Sequence, residues 1–567
     1  MDLIDWLVLS FTLTSIVAYG MWKGRASERN IEHFLLANRK MPWYHVTLSV
    51  MATQASAITF LSAPGQAYTD GMRFVQFYFG LPLAMIVISI TFIPLFKRLK
   101  VFTAYQFLEQ RFDLKTRVLT SFLFLIPRAL STGVTIAAPS IILTTILGWD
   151  LYWTNILTGS FVTLYCVFGG SKTISYTQVQ QMFVVLVGMF LAGYIAVHLL
   201  PKDVGFTDSL KIAGKMGKLN VLDWKFDLSN RYNIWSGLIG GFFLQLSYFG
   251  TDQSQVGRYL SGESVGQSRL GLLMNGILKI PMQFFILMVG ALVFVFYQFE
   301  QAPLFFNKTE LAKVEQTPQY QTLKERDTKV FEEKKATISN LVTAIQTDNA
   351  PQVTQLTEQV QSLNTQTNSL RKEMKELMAS QNPSADVNDT NYIFLSFVTR
   401  YLPVGMVGLL IAVILLASMG SMASAFNSLT SCTVVDIYQR LLLPNESDAH
   451  YFNVSRLVTL GWGIFCIVVA QYAANIGSLI EAVNILGSWF YGTILGVFLV
   501  AFYFKQVKGD AVFWAAILAE VFVIYCWWID LTAFLWLNLI GCVLVVVFSL
   551  MFGIVRREEI EDETLLE

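Results

Sequence analysis

The sequence is poor in charge, in histidine and in paired cysteine, and each shortage closes off a class of function. Charged residues make up 14% of the 567 positions and hydrophobic ones 54%. Soluble domains carry about 25% charged residues, so the composition excludes an ordinary soluble fold and points to an integral membrane protein. The formal net charge is zero, which leaves no basic surplus to hold nucleic acid. The five cysteines (Cys166, Cys432, Cys466, Cys526 and Cys542) all fall in apolar stretches without CxxC spacing. They read as small buried hydrophobes, not as disulfides or metal ligands. The four histidines are scattered and form no HExxH pattern. A Walker motif is also missing, since GGSKT at 169–173 lacks the spacing, so any transport has to run on a gradient. The acidic start, MDLIDW, is not the basic start of a cleaved leader.

What is present is a succession of long apolar runs. They fall at 1–22, 43–71, 74–97, 117–147, 151–168, 176–200, 232–252, 269–298, 393–431, 455–474, 476–505, 511–530 and 532–554. About thirteen membrane-spanning helices are expected, each near or above the ~20 residues needed to cross. Arg25, Arg29 and Arg39 make the loop 23–40 basic and hence cytoplasmic, which puts the N-terminus outside and the C-terminus in the cytoplasm. Lys97, Arg98, Lys100, Arg111, Lys115 and Arg117 fit the same orientation, as do Arg258, Arg440, Lys505, Lys508, Arg556 and Arg557. The lysine-bearing loop 201–231 runs against it. The tail from Arg556 reads as a solvated end.

Residues 299–391 form a long polar loop on the outer side. Val353, Leu356, Val360, Leu363, Leu370, Met374 and Leu377 follow steps of three and four, with Thr367 in the missing slot. Phe331, Ile338 and Ile345 recur every seven residues beside Leu341, and DNAP at 348–351 reads as a turn between the two segments. An extramembrane helical hairpin is expected. It would serve as a contact for a protein partner or second protomer, or be an insertion that packs only on itself.

Two apolar spans carry polar clusters. Residues 49–71 contain Thr53, Gln54, Ser56, Thr59 and Ser62, and Pro64–Gly65 then interrupt the helical pattern. Residues 417–431, ASMGSMASAFNSLTS, place Ser418, Ser421, Ser424, Asn427, Ser428 and Ser431 mostly on one helical face. Unsatisfied polar groups are costly in hydrocarbon. A broken span facing a hydroxyl-lined one is how transporters build a midplane site for a solute and a small cation, which wants about five or six oxygens. Small polar residues also serve plain helix packing.

The segments LANRKMPW, GGSKTISYTQVQQ, DQSQVGRYL, LMNGILKIP and ASMGSMASAFNSLTSCTVVDIYQR, with the broken span, resemble landmarks of the sodium:solute symporter family. The resemblance runs to about residue 505 and excludes the 299–391 insertion. It implies an all-α integral membrane fold with an inverted five-helix repeat core at 43–200 and 232–505. One extra span lies at 1–22 and two lie at 511–554. It implies sodium bound by the carbonyls of Ala52, Ala55 and Ala417 and by a hydroxyl pair. That pair reads Gly420–Ser421 here, so Ser421 stands alone, with Ser424 or a water as substitute. A further sodium site of some relatives falls on Gln178, Gly420 and Ala423, so no more than one sodium ion is implied.

The family's solute-lining positions map to Thr59, Tyr78, Gln245, Tyr248, Lys279 and Asn484. Thr59 and Tyr78 stand where sugar transporters present a glutamine and a glutamate. Arg128, inside a span, resembles the carboxylate-binding arginine of sialic acid transporters, and its guanidinium fork suits a carboxylate. The plainer reading ties Arg128 to helix-end carbonyls and makes Lys279, near Pro281, a lysine that bonds an unwound helix. Tyr248, Phe77 and Phe79 are candidate gates. The expected function is non-enzymatic: sodium-coupled secondary transport, in a cell membrane, of an acidic sugar or monocarboxylate first and a neutral sugar second. A transporter-like sensor, or a proton-coupled or uncoupled carrier, is the alternative.

Overall fold

Backbone that crosses hydrocarbon must satisfy its donors and acceptors internally, and a helix does this locally. The computed structural model describes residues 1–24, 31–382, 387–473 and 479–566, without side chains beyond 553. Among the described residues the elements are helical, with one isolated bridge between Met41 and Gly262. Arg25 and Arg29 lie outside the described residues, as do the side chains of Arg556 and Arg557.

In chain order the main helices are α1 (Leu3–Gly24), α2 (Trp43–Gln54), α3 (Ala57–Asp70), α4 (Met72–Leu99), α5 (Leu114–Leu147) and α6 (Leu151–His198). There follow α7 (Phe206–Lys215), α8 (Gly241–Thr251), α9 (Gln253–Leu260), α10 (Val265–Phe299), α11 (Pro318–Gln346) and α12 (Ala350–Gln381). The last six are α13 (Thr390–Tyr401), α14 (Met406–Ser431), α15 (Asp448–Ala473), α16 (Leu479–Tyr503), α17 (Gly509–Trp528) and α18 (Phe534–Leu566).

Ten of the described helices are long and apolar enough to cross a membrane, or eleven with α2 and α3 taken as one bent pair. The two further expected spans exist in another form. Residues 151–168 and 176–200 merge into α6, 48 residues long, with Gly170 at φ 65° between its arms. Straight, such a helix would measure about 72 Å, more than twice the ~30 Å hydrocarbon core, so the two arms serve as two spans. The glycine supplies the positive φ at the junction. The expected span at 232–252 is a short wide turn, Ser236–Gly240, leading into the eleven residues of α8.

Two expectations are corrected. The span expected at 393–431 is split: α13 ends at Tyr401 and α14 starts at Met406. α13 packs on α3 instead. In addition, Pro64 and Gly65 do not break the helix, for α3 runs straight through them. The break falls at Ala55–Ser56, where α2 and α3 meet at 59°. Gly65 serves close packing, because a Cβ there would come within 2.0 Å of the Thr390 carbonyl oxygen on α13.

α14 lies at the centre, almost wholly buried and packed on α6, α5 and α1. The acidic start of the chain has a use here. The Asp5 carboxylate on α1 accepts from the amides of Gly405 (2.6 Å) and Gly408 (3.1 Å), capping the start of α14. Peripheral helices present Phe11, Phe161, Phe183, Phe190 and Trp514 outward, as lipid-facing surfaces do.

The hairpin is confirmed as α11 and α12, joined at Asp348 with φ 52°. In its seam Val353 and Val360 share a buried cluster with Ile338 and Leu341, and Leu370 and Met374 share another with Tyr320 and Leu323. It does not pack on itself alone. Gln346 donates to the Asp203 carbonyl (2.7 Å) and Gln361 to the Lys215 carbonyl (2.9 Å), so the hairpin rests on the lysine-bearing loop.

Candidate solute and cation site

The break between α2 and α3 takes carbonyls out of the helical ladder. The Ser56 amide donates to the Gln54 carbonyl (3.2 Å) and the Thr59 amide to Ser56 (2.9 Å). Neither reaches four residues back, so the carbonyls of Ala52 and Ala55 have no backbone donor among the described residues. Free carbonyls at a broken membrane helix are ligands for a small cation. α14, which carries Ala417 and Ser421, packs against both halves of the break, and its Ser424 bonds Thr53 at 2.8 Å. The Ser421 hydroxyl bonds its own helix at the Ser418 carbonyl (3.1 Å).

Gln178 of α6 sits where the resemblance puts an aspartate. Its amide nitrogen donates to the Gly420 carbonyl (2.9 Å), the Ser424 hydroxyl (2.8 Å) and Thr53 Oγ1 (3.3 Å). Its oxygen accepts from the Ser49 hydroxyl. Thr53 and Ser424 also bond each other across the helices at 2.8 Å. An amide NH2 therefore occupies the space between these three oxygens. One turn on, Gln181 is buried with both amide atoms unpartnered. A Cβ on Gly420 would lie 2.5 Å from Gln181 Oε1. That oxygen stands beside the missing hydroxyl, a role the sequence reading did not assign.

Next to the break is a cavity of about 100 Å³. Thr59, Tyr78, Arg128, Gln245, Tyr248 and Asn484 all line it, brought together from α3, α4, α5, α8 and α16. Phe77 lines it as well, and Phe79 does not. Lys279 is absent from the wall: fully buried, with no partner on Nζ, it sits 5.6 Å from the centre of the Tyr78 ring. It does not bond an unwound helix, since α10 is continuous through Pro281. Gln54, Ser56, Ser131 and Tyr491 complete the polar lining. Of these, Gln54 and Ser56 belonged to the polar cluster visible in sequence, whereas Ser131 and Tyr491 had no local signal.

Arg128 is held by side chains, not by helix-end carbonyls. Its Nη2 donates to Asp252 Oδ2 and to the Ser254 hydroxyl, both at 2.6 Å, and its guanidinium lies 5.6 Å from the Tyr248 ring centre. The Tyr491 hydroxyl donates to the same Asp252 oxygen at 2.7 Å. Asp252 caps α9 through the Ser254 amide (2.8 Å). The arginine thus has an internal carboxylate partner at the cavity wall.

The sodium:solute symporter family model matches residues 34–318 and 375–519, leaving out part of the hairpin. The human sodium/iodide cotransporter is 31% identical over 297 residues, 52% of this chain and 45% of the relative. The human sodium-coupled monocarboxylate transporter 1 is 32% identical over 275 residues, 48% and 44% respectively. The chain thus spans less than half the length of these two relatives. The Vibrio parahaemolyticus sodium/glucose cotransporter is 23% identical over 90% of this chain and 82% of its own. A solved structure of a Na+-coupled sialic acid symporter, substrate-bound and outward-open, covers 98% of both chains with a TM-score of 0.74 at 21% identity. That likeness shows the fold, an all-α membrane protein with an inverted-repeat core. These matches to transporters, with the family model covering most of the sequence, show that the chain belongs to the sodium:solute symporter family.

Proposed function

We propose that the protein is a secondary active transporter that couples one sodium ion to uptake of a small carboxylate by alternating access. The observation that carries this reading is the cavity beside the helix break. It joins Arg128 to a ring of hydroxyl and amide groups, next to the two free carbonyls of Ala52 and Ala55. Arg128 on its wall favours an acidic solute, a monocarboxylate or an acidic sugar. Sodium is the cargo ion, bound by the carbonyls of Ala52, Ala55 and Ala417 and by Ser421, with Gln181 Oε1 in place of the missing hydroxyl. Gln178 fills the second cage with its own amide, which supports a single ion.

A neutral sugar is the second reading. It is favoured by one observation, that Asp252 already neutralises Arg128. The five-helix repeats at 43–200 and 232–505, the outward hairpin and N-terminus, and the cytoplasmic C-terminus belong to the same proposal, as does a cell-membrane location. The test is uptake into proteoliposomes of radiolabelled lactate, and of galactose, with and without an inward sodium gradient. Lactate accumulation that collapses without sodium is the expected result. Accumulation that follows a proton gradient and ignores sodium would overturn the coupling, and galactose uptake without lactate uptake would overturn the solute class.

A further inference from the structure

A second cavity, of about 410 Å³, lies where the hairpin meets the membrane domain. Its walls are the last turn of α3, the end of α10, the start of α13 and the facing sides of α11 and α12. Five cations line it (Lys218, Lys334, Arg371, Lys372 and Lys375) against two carboxylates, Asp327 and Asp389. Both carboxylates are engaged. Asp389 takes Arg371 Nη2 at 2.6 Å, the Phe306 amide at 2.9 Å and Lys375 at 3.3 Å. Asp327 accepts from Gln301 at 2.9 Å.

The cations are not all matched. Lys334 is 5% exposed and forms no hydrogen bond or ion pair among the described residues; its ammonium lies 5.8 Å from the Phe331 ring centre. Arg371, paired to Asp389 through Nη2, leaves Nη1 buried without a hydrogen-bond partner among the described residues. A buried cation without an ion pair is costly, and Lys334, facing the same polar cavity as the unbonded nitrogen of Arg371, calls for a negative ligand. Burial brings Lys334 down to about 8, so it is still mostly protonated at neutral pH.

We propose that this cavity binds a compact oxyanion of the sulfate or phosphate type, held by Lys334 and Arg371 with Lys218, Lys372 and Lys375 around it. The site is separate from the solute cavity and independent of the transport reading. It rests on residues 218–390, which include the insertion that the family model partly omits. An anion there ties the hairpin to Tyr68 and Thr69 at the end of the broken span.

The experiment is thermal unfolding of the full-length protein in neutral detergent, titrated with sodium sulfate against sodium chloride at matched sodium, with choline chloride added to equalise ionic strength. The expected result is a saturable rise in midpoint with sulfate, retained in Lys334→Arg and at least tenfold weaker in Lys334→Met. Removing an unpaired buried charge should leave the fold intact. If Lys334→Met nevertheless fails to fold, Lys372→Gln at the rim replaces it and should weaken the response several-fold. An equal response to sulfate in wild type and Lys334→Met, or no response in wild type, would overturn the proposal. Nanodiscs separate the sources. Phosphatidylglycerol that reproduces the rise without sulfate identifies a lipid headgroup, whereas an equal sulfate effect in phosphatidylglycerol and phosphatidylcholine identifies a free anion.

Discussion

Arg128 and Asp252 form a buried pair at the cavity wall, and the pair decides what Arg128 is free to do. A solute carboxylate has to compete with Asp252 for the guanidinium. Asp252→Asn removes the competing charge and keeps the α9 cap, since asparagine caps helices as well as aspartate does. KM for a monocarboxylate should then fall several-fold while uptake of a neutral sugar is unchanged. Arg128→Ala alone strands Asp252, and breaking one side of a buried pair costs about 3–5 kcal/mol. The double variant Arg128→Ala/Asp252→Asn is therefore the cleaner test. It should raise KM about 10- to 100-fold relative to Asp252→Asn, the equivalent of one charged hydrogen bond of about 1.5–3 kcal/mol. Unchanged KM in sodium-driven uptake would remove Arg128 from solute recognition. Of this wall, Gln54, Ser56, Thr59 and Arg128 stood out as polar groups in apolar spans, whereas Tyr78, Gln245, Tyr248 and Asn484 came only through the family resemblance. Asp252 was quoted within a landmark and not read as a partner of Arg128, since the two are 124 positions apart and no local pattern links them.

The cation question turns on the contact of α6 with α14. Gln178 reaches three oxygens with the two hydrogens of one amide nitrogen, and aspartate can donate to none of them at neutral pH. Gln178→Asp should accordingly be destabilised in potassium and recover in sodium, with a sodium-dependent rise in melting temperature larger than that of wild type. Equal midpoints in the two salts would mean that the cage cannot take an ion. At the level of whole helices, the hairpin was readable because a heptad seam depends on spacing alone, and Thr367 fell out of the seam where it lines the second cavity. The break in the first core span was misplaced for an equally physical reason. Proline and glycine mark local interruptions, but this bend sits at Ala55–Ser56 and is flanked by tertiary contacts. Thr53 bonds Ser424 across to α14 (2.8 Å), and Gln54 reaches Gln245 on α8 (3.5 Å). Pro64 is accommodated inside α3, where Gly290 of α10 packs directly on it.

Over the whole molecule two contacts of different chemistry tie down α3 and α5, helices that line the solute cavity, and on the proposed transport cycle they are the candidate closures. On the hairpin side α13 sits on α3, with the Thr390 carbonyl pressed to Gly65. On the other side Arg117 is buried between Asp436 and Glu109, 2.6 Å from each, and Thr103 donates to the same Asp436 oxygen at 2.6 Å. Alternating access requires that each closure open while the other holds, so weakening them should push the protein in opposite directions. Gly65→Val places a side chain where the Thr390 oxygen lies and should open the hairpin side. Arg117→Ala removes the charge that joins α5 to the end of α14 and should open the opposite side. The five native cysteines are all buried, which keeps the background of a thiol-labelling assay low. With Ser56→Cys in the cavity wall as reporter, a membrane-impermeant maleimide added to the hairpin side of sealed vesicles should label Gly65→Val several-fold faster than the parent. It should label Arg117→Ala more slowly. The vesicle orientation that gives this result also shows which side of the membrane the hairpin faces. Equal labelling of both variants from one side would mean that these contacts are static packing and that the gates lie elsewhere.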